Sequence, residues 1–313
     1  MAGGYLARRT GLLRPESASG IMSAAIIGID APVALLALWF LRIHAGVWKV
    51  PVAGFTVAVV AVLAGLAIAR WRRMATQDRV VFALQGGMGN VGYTLGGAIA
   101  FAVWGLQGLA VEQMFCMMWP FFSFLFCFPL AHHFADPVEL TDKGPRHADI
   151  AYALRILGKS LADLRSLPLY LATLGLVLNL AGAAPPQPVA DWHILDALMV
   201  VGIVMQFGSV GLTVRVSRLT AWWKPALGAA ALKFLLSPLL MLAAVLVLGI
   251  TGDALKVCLM LSVMPTALYS VLIANLFRLN TDLANTTFLL TTCLCLAVIV
   301  PLIVLLARAG LLT

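Results

Sequence analysis

Residues 255–278 read Leu-Lys-Val-Cys-Leu-Met-Leu-Ser-Val-Met-Pro-Thr-Ala-Leu-Tyr-Ser-Val-Leu-Ile-Ala-Asn-Leu-Phe-Arg. The stretch is long and apolar enough to cross a bilayer, yet Pro265 stands in its middle. Proline removes one backbone donor and frees the carbonyl one turn earlier. Inside hydrocarbon these groups need partners, so a broken membrane helix belongs within protein or beside a wet cavity. The stretch predicts either a kink packed against its neighbours or half of a transporter's binding site, and a second broken helix would favour the site.

The composition of the whole chain is that of a membrane protein. Of its 313 residues, 62% are hydrophobic and 11% are charged, whereas soluble domains carry about 25% charged residues. We therefore predict an all-α polytopic protein in a lipid bilayer. The net charge of +8 is typical of basic cytoplasmic loops, and no nucleic-acid partner is expected. The five cysteines have neither disulfide nor zinc spacing, and no cofactor or metal is expected.

Nine apolar segments are predicted to cross the membrane after a short N-terminal stub. They are 21–41, 50–69, 81–104, 108–130, 167–183, 193–214, 225–249, 255–278 and 285–307. Residues 131–166 form the longest polar stretch. Apolar residues recur at helical spacing in about 146–166, which predicts an amphipathic helix there.

The Lys and Arg residues set the predicted orientation. With the first loop inside and the spans alternating, most of the 21 Lys and Arg residues fall in inner loops. The outer loops hold only Arg42, Lys49, Lys256 and Arg308, as the positive-inside rule requires. This predicts a multi-pass protein of a bacterial inner membrane with its C-terminus outside.

The two halves of the chain echo each other. Trp48-Lys49-Val50-Pro51 opens the third element, counting the stub as the first, and Trp223-Lys224-Pro225 opens the eighth. Five elements, an inner loop and five more elements make an inverted repeat. We predict a first repeat at 1–130, a linker at 131–166 and a second repeat at 167–313. The pairing sets the Gly-dense segment 81–104 opposite 255–278, as the second broken helix.

Five motifs follow one another at a characteristic spacing. They are Gly89–Gly97 with Trp104–Leu109, Leu167–Tyr170, Leu232–Leu240, Met264–Ala267 and Thr292–Pro301. In order and spacing they resemble the auxin efflux carrier family over almost the whole chain, and bacterial malonate or malate permeases in particular. The resemblance implies ten helices in two inverted sets of five. It also implies that two broken helices cross at a central site for small organic anions.

Two features depart from the family's pattern. The family's fourth helix usually has proline near the position of Gly97. Here we expect the break to come from Gly96-Gly97, because glycine tolerates unusual backbone angles. The family's first helix is complete, whereas only its last turns are present here. Either the start codon lies further upstream or the protein works with a shortened first helix.

The resemblance places a site asparagine at Asn90, whose amide either donates to a carboxylate or bridges freed backbone groups. The helix N-termini created by the breaks carry partial positive charge and attract anions. The hydroxyl groups of the second broken helix are candidates both for the substrate and for freed backbone groups. The predicted substrate-binding residues are Asn90, Gly96, Gly97, Lys233, Pro265, Thr266, Tyr269 and Ser270.

Charged residues inside the predicted spans are few. Lys233 either neutralises an anionic substrate, pairs with Asp30, or extends its ammonium group to the inner interface. Asp30 is interpreted as the only acid well inside a span. It either carries a coupling proton or caps backbone disturbed by Pro32. His132 and His133 are interpreted as interfacial, since a metal site needs more ligands.

The sequence thus predicts a secondary transporter of a small organic anion, such as a mono- or dicarboxylate, and not an enzyme. A proton or sodium ion would couple to transport. Segments 50–130 and 225–307 would move against a scaffold of 21–41, 167–183 and 193–214, which would also form a homodimer face. The alternatives are a sodium- or proton-coupled carrier of the bile-acid or antiporter kind, a membrane-embedded enzyme, and a non-transporting sensor. A pair of midplane carboxylates would favour the antiporter.

Overall fold

The fold is described by a computed structural model that covers residues 2–42, 46–92, 95–134, 150–186, 194–213 and 219–310. Over these residues the regular elements are helices, and the single β-bridge pairs Gly89 with Thr266. The α-helices are Ala2–Arg9, Ser17–Ala25, Ala31–Trp39, Val50–Trp71, Thr76–Gly87, Gly96–Cys116, Trp119–Phe121, Phe128–Phe134, Ile150–Leu161, Leu167–Leu180, Ile194–Thr213, Leu219–Ala231, Ser237–Leu248, Gly252–Ser262, Leu268–Leu276, Thr281–Leu294 and Val300–Arg308. Short 3-10 turns, Val47–Lys49 and Leu164–Ser166, precede two of them.

Helices long and apolar enough to cross a membrane number six in the described ranges. They are Ser17–Trp39, Val47–Trp71, Gly96–Phe134, Ile194–Leu212, Ala221–Leu248 and Thr281–Arg308, and Leu164–Leu180 is a shorter apolar helix. The prediction of an all-α polytopic membrane protein is confirmed.

Four of the long helices contain a π-helical turn, and in each case a proline follows two residues later. The turns Ile26–Asp30, Phe122–Cys127, Leu232–Leu236 and Cys295–Ile299 precede Pro32, Pro129, Pro238 and Pro301. Proline donates no backbone hydrogen bond, and its ring pushes away the carbonyl four residues earlier. The helix therefore widens in the turn before each proline. Two of these turns contain charged residues, Asp30 and Lys233.

The long helix Gly96–Phe134 folds back on itself at Gly105, which has φ 61° and ψ −148°. Glycine reaches this conformation without a steric penalty. A Cβ added at Gly108 would collide with the carbonyl oxygen of Ala100, and one at Gly97 would lie 3.0 Å from Oε2 of Glu112. The two arms of Gly96–Cys116 therefore run antiparallel and in contact. We call this element the hairpin, and its turn agrees with the predicted boundary between spans 81–104 and 108–130.

Hydrogen bonds between helix ends show which ends lie together. Gln107, beside the hairpin turn, donates its Nε2 to the carbonyl of Phe40 and accepts from the backbone N–H of Arg42, both at 2.9 Å. Nδ2 of Asn280 donates to Oδ1 of Asp78 at 2.7 Å. Asp78 begins the element that leads towards the hairpin, so this second contact lies at the far end of that element.

The helices pack in two groups. In the scaffold group, Ala31–Trp39 packs on Leu167–Leu180, and Ser17–Ala25 packs on Ile194–Thr213. In the crossover group, Val50–Trp71 packs on Thr76–Gly87, Leu219–Ala231 on Thr281–Leu294, and the hairpin on Gly252–Ser262. The hairpin also contacts Ala31–Trp39, so the two groups meet there.

Two elements lie outside the spans. The predicted stub is the helix Ala2–Arg9, in which Nη1 of Arg8 donates to the carbonyl of Leu212 at 3.0 Å. The predicted amphipathic helix, expected over about 146–166, is present as Ile150–Leu161 among the described residues. Most of the polar stretch before it, 135–149, falls outside the described residues.

Candidate functional site at the crossing of two broken helices

Both predicted breaks are present, at matching places in the chain. The first helix ends at Gly87, Met88 is extended, and the next helix begins at Gly96. The second ends at Ser262, Ala267 is extended, and the next helix begins at Leu268. Each break frees backbone donors and acceptors that hydrocarbon cannot satisfy.

Backbone groups freed by one break form hydrogen bonds with backbone groups freed by the other. The N–H of Asn90 donates to the carbonyl of Pro265 at 2.7 Å, and the N–H of Ala267 donates to the carbonyl of Met88 at 2.9 Å. Gly89 and Thr266 face each other between these bonds as an antiparallel bridge. We call residues 88–90 and 265–267 the crossover. Each segment gives one donor and one acceptor, so the pairing is the same when the segments are exchanged.

The polar side chains of the second break support this backbone. The hydroxyl of Thr266 donates to the carbonyl of Gln85 at 2.8 Å, and the N–H of Thr266 donates to Oγ1 of Thr291 at 3.2 Å. The hydroxyl of Ser270 donates to the carbonyl of Ala267 at 2.6 Å. Thr266 and Ser270 are therefore at the crossover as predicted, but their donated hydrogen bonds are used by the main chain.

Tyr269 and Pro265 occupy different surroundings. The ring of Tyr269 stacks near Phe128, with 6.2 Å between ring centroids. Pro265 is buried and contributes its carbonyl to the crossover. The structure thus places Pro265 at the crossing itself and Tyr269 in the aromatic packing beside it.

Lys233 reaches the crossover from a third helix. It lies in the π turn Leu232–Leu236 and is 3% exposed. A Cβ added at Gly89 would lie 2.7 Å from its Nζ, so the ammonium group fills the space that glycine leaves free. The Lys233 side chain therefore does not extend to the membrane interface.

The predicted pairing of Lys233 with Asp30 is also absent. Asp30 is 5% exposed, and its Oδ1 accepts a hydrogen bond from Nε2 of Gln206 at 2.8 Å. Among the described residues Lys233 forms no ion pair. The crossover therefore has a buried lysine beside it that no carboxylate of the described residues pairs with.

The expected role of Gly96 and Gly97 in the break is wrong. Both lie in the first turn of the helix after the break, and the irregular backbone precedes them. The N–H of Gly96 donates to the carbonyl of Asn90 at 3.2 Å, and that of Gly97 donates to the carbonyl of Gly92 at 3.0 Å. A Cβ at Gly96 would collide with the backbone of Val91. The two glycines allow tight closure behind the break, and their N–H groups are already used.

The interpretation of Asp30 as the only deep acid is also wrong. Glu112, on the second arm of the hairpin, is fully buried. It is the fifth residue of the predicted span 108–130 and is followed by Gln113. The signal that could have found it is the apolar sequence on both sides, Gly-Leu-Ala-Val before and Met-Phe-Cys-Met-Met after the Glu-Gln pair.

Gln85 is a second residue that the sequence interpretation missed. Its side chain is fully buried one turn before the first break, and neither amide atom has a hydrogen-bond partner among the described residues. Its backbone carbonyl accepts from Thr266. Gln85 therefore provides, one turn before the first break, a buried amide group that no described residue hydrogen-bonds.

The structure is that of a membrane protein with an internal polar site. Two broken helices pair there through their backbones, beside a buried lysine. Residues 188–304 match the model of a family described as Membrane transport protein, which is the auxin-efflux-carrier-like family. The predicted resemblance to the auxin efflux carrier family is confirmed over this region, which includes Lys233 and the second broken helix. No curated protein matches the chain.

Proposed function

We propose that the protein is a secondary active transporter of a small organic anion, such as a mono- or dicarboxylate, with the crossover as its binding site. The family match supports transport across a membrane. The observation that supports an anion is Lys233, the one Lys or Arg that is buried in the described residues. An unpaired buried ammonium group is costly, and a bound carboxylate offsets that cost. Asn90 and Gln85 are the neighbouring amide side chains that would orient it.

Transport would proceed by alternating access, with the crossover group moving against the scaffold group. The exchange symmetry of the two crossover hydrogen bonds supports the inverted repeat, with halves at 1–130 and 167–313 and a linker at 131–166. Both halves supply one broken helix to a single site. Movement of the crossover group as a body would carry the site from one side to the other without breaking the pairing.

The scaffold group is the proposed contact surface of a homodimer. Its outer face exposes apolar side chains, among them Tyr170, Val177, Val200 and Val204. The same face would otherwise contact lipid tails. A fixed dimer of scaffolds would give each crossover group a stationary partner to move against. We place the dimer in a bacterial inner membrane, with the C-terminus outside as the positive-inside rule indicates.

The test is uptake of labelled malonate, malate and an indole carboxylate into proteoliposomes. We expect saturable uptake by the wild type, with the initial rate lowered at least about tenfold in Lys233→Met and in Asn90→Ala, because each removes a group that binds the anion (about 1.4 kcal/mol per tenfold). Lys224→Met is the matched control, since Lys224 is exposed, and it should keep the wild-type rate.

Two outcomes would contradict the proposal. If Lys233→Met takes up the acid at the wild-type rate, the crossover is not the binding site. The second concerns the antiporter alternative, which Glu112 favours because it adds a second buried carboxyl to Asp30. Sodium-driven alkalinisation of the vesicle lumen in the absence of any organic acid, with no acid uptake, would identify an antiporter instead.

A further inference from the structure

Glu112 is a buried acid that has no role in the proposed binding of the substrate. Its side chain is fully buried. Nε2 of Gln113 donates to its Oε2 at 2.5 Å, and Sγ of Cys116 donates to its Oε1 at 3.0 Å. Both donors lie on the same helix arm, so the carboxyl group is held in one orientation. Acidic residues inside membrane helices are rare, because burial of their charge is costly.

The carboxyl group points from the second arm of the hairpin towards the first. A Cβ at Gly97 would lie 3.0 Å from Oε2 and 3.3 Å from the carboxyl carbon. Gly97 belongs to the first turn after the break, and its neighbour Gly96 donates to the carbonyl of Asn90. The carboxyl group therefore sits against the N-terminal turn of the half-helix that leaves the crossover. This is where the partial positive charge of a helix attracts anions.

An ionised Glu112 and a bound substrate carboxylate compete for the same positive surroundings. With Glu112 ionised, the helix N-terminus is already neutralised and the second negative charge is repelled. With Glu112 protonated, the carboxyl group is neutral and the surroundings favour the substrate. Binding of a proton and binding of an anion thus help each other, and linkage makes this effect reciprocal.

We propose that Glu112 is the proton-binding residue that couples the anion to a proton, so that the two cross the membrane together. The inference rests on the proposed anion transport, and it assigns the coupling proton to the crossover group instead of to Asp30 in the scaffold group. A proton on the moving group travels with the substrate. A proton on Asp30 would stay with the stationary helices.

Few other ionisable groups face Glu112 from the elements that pack on the hairpin. Asp30 acts on it by repulsion from the first span, and Cys116 is its hydrogen-bond partner on its own arm. Cys258, on Gly252–Ser262, is buried in the same core. The remaining charged groups of the neighbouring elements lie at helix ends: Arg70 in the last turn of Val50–Trp71, Lys49, whose Nζ donates to the carbonyl of Leu248, and the pair Asp253 and Lys256.

The test compares the pH dependence of uptake in wild type and Glu112→Gln proteoliposomes, over a pH range in which the labelled acid stays ionised. We expect wild-type uptake to fall about tenfold per pH unit on the alkaline side, because one proton enters with each anion. In Glu112→Gln the neutral amide imitates the protonated acid, so uptake persists and changes by less than about twofold over that range. An imposed pH gradient should no longer drive accumulation.

Two controls separate the assignments. Asp253→Asn removes an exposed acid from Gly252–Ser262, the helix that packs on the hairpin, and it should keep the wild-type pH profile. Asp30→Asn should keep it too, and loss of pH dependence in Asp30→Asn alone would overturn the assignment to Glu112. If the wild-type protein transports no acid, the proposed function itself is wrong. If Glu112→Gln takes up acid with the wild-type pH profile, only the assignment of the proton to Glu112 is wrong.

Cys116→Ala provides a second test should Glu112→Gln not fold. The substitution removes a donor that favours the ionised carboxylate, so protonation becomes easier. We expect the midpoint of the uptake profile to move to higher pH while maximal uptake is kept. A midpoint that stays in place or moves to lower pH would overturn the inference.

Discussion

Thr266 shows how single side chains hold a broken membrane helix together. It is fully buried, and its hydroxyl satisfies the carbonyl of Gln85, which lies in the last turn before the first break. That carbonyl has no helical donor four residues later, because the N–H of Gly89 lies beyond the end of the helix. In hydrocarbon, the hydroxyl of Thr266 is therefore a main source of its hydrogen bond.

We expect Thr266→Val to lower the free energy of unfolding by about 1–3 kcal/mol, because a buried acceptor is left without a donor. Thr286→Val is the matched control. Thr286 is 4% exposed, but its hydroxyl donates to the carbonyl of Asp282 within its own helix, and that carbonyl can keep its helical partner. Thermal unfolding in detergent measures both. Equal losses in the two variants would contradict this role of Thr266.

At the residue scale the sequence shows candidates but not their surroundings. Lys233 was visible as a charge in an apolar segment, yet its place beside Gly89 depends on packing between distant segments. The place of Glu112 could not be predicted, because local composition does not distinguish a residue near the start of a span from one on the second arm of a hairpin. Only the fold at Gly105 brings Glu112 against Gly97.

At the scale of elements, prolines were the most informative signal. Pro265 predicted the second break, and each of the four π turns precedes a proline by two residues. The first break has no proline, and the sequence interpretation placed it too late, at Gly96-Gly97. Its true place, before Gly96, is set by pairing with residues 265–267, which no local pattern reveals.

The hairpin depends on the close approach of its two arms at Gly108. We expect Gly108→Ala to lower the melting temperature by several degrees, because the new methyl group collides with the carbonyl oxygen of Ala100 and overpacking of this kind costs about 1–3 kcal/mol. Gly20→Ala is the control, since a Cβ there meets nothing within 4 Å and alanine favours a helix. It should leave the melting temperature unchanged or raise it. A stable Gly108→Ala protein would mean that the arms are further apart than described.

At the scale of the whole molecule, two groups of helices meet at the hairpin. The amide of Gln107 joins the hairpin turn to the end of the first span through Phe40 and Arg42. The contact crosses from the crossover group to the scaffold group. If the groups move against each other, this junction has to open during each transport cycle.

We expect a short thiol-specific crosslinker between Arg42→Cys and Gln107→Cys to abolish uptake, and a reductant that cleaves it to restore uptake. The variant is made in a background without the native cysteines. The control pair is Trp39→Cys with Ala183→Cys, because Nε1 of Trp39 donates to the carbonyl of Ala183 and both belong to the scaffold group. Crosslinking of this pair should leave uptake intact. Full uptake with Arg42 and Gln107 linked would contradict relative movement at this junction.

The order of the membrane helices could be predicted from apolar segments and basic loops, since both are local properties of the chain. The division into two groups came from the resemblance to a family and not from hydropathy. The family match covers residues 188–304. For the first half of the chain, the strongest evidence that it resembles the second half is the broken helix that it contributes to the crossover.

The crossover is joined by main-chain atoms, and this has a consequence for how the protein tolerates change. A substitution at Met88, Asn90 or Ala267 leaves the N–H and C=O groups in place, so the joint survives many changes of side chain. Deletion or insertion of one residue shifts a donor to where an acceptor must be, and both bonds are lost at once. The constraint at the crossover is thus the spacing of residues along the chain. We expect natural variants to have substitutions here but no insertions or deletions.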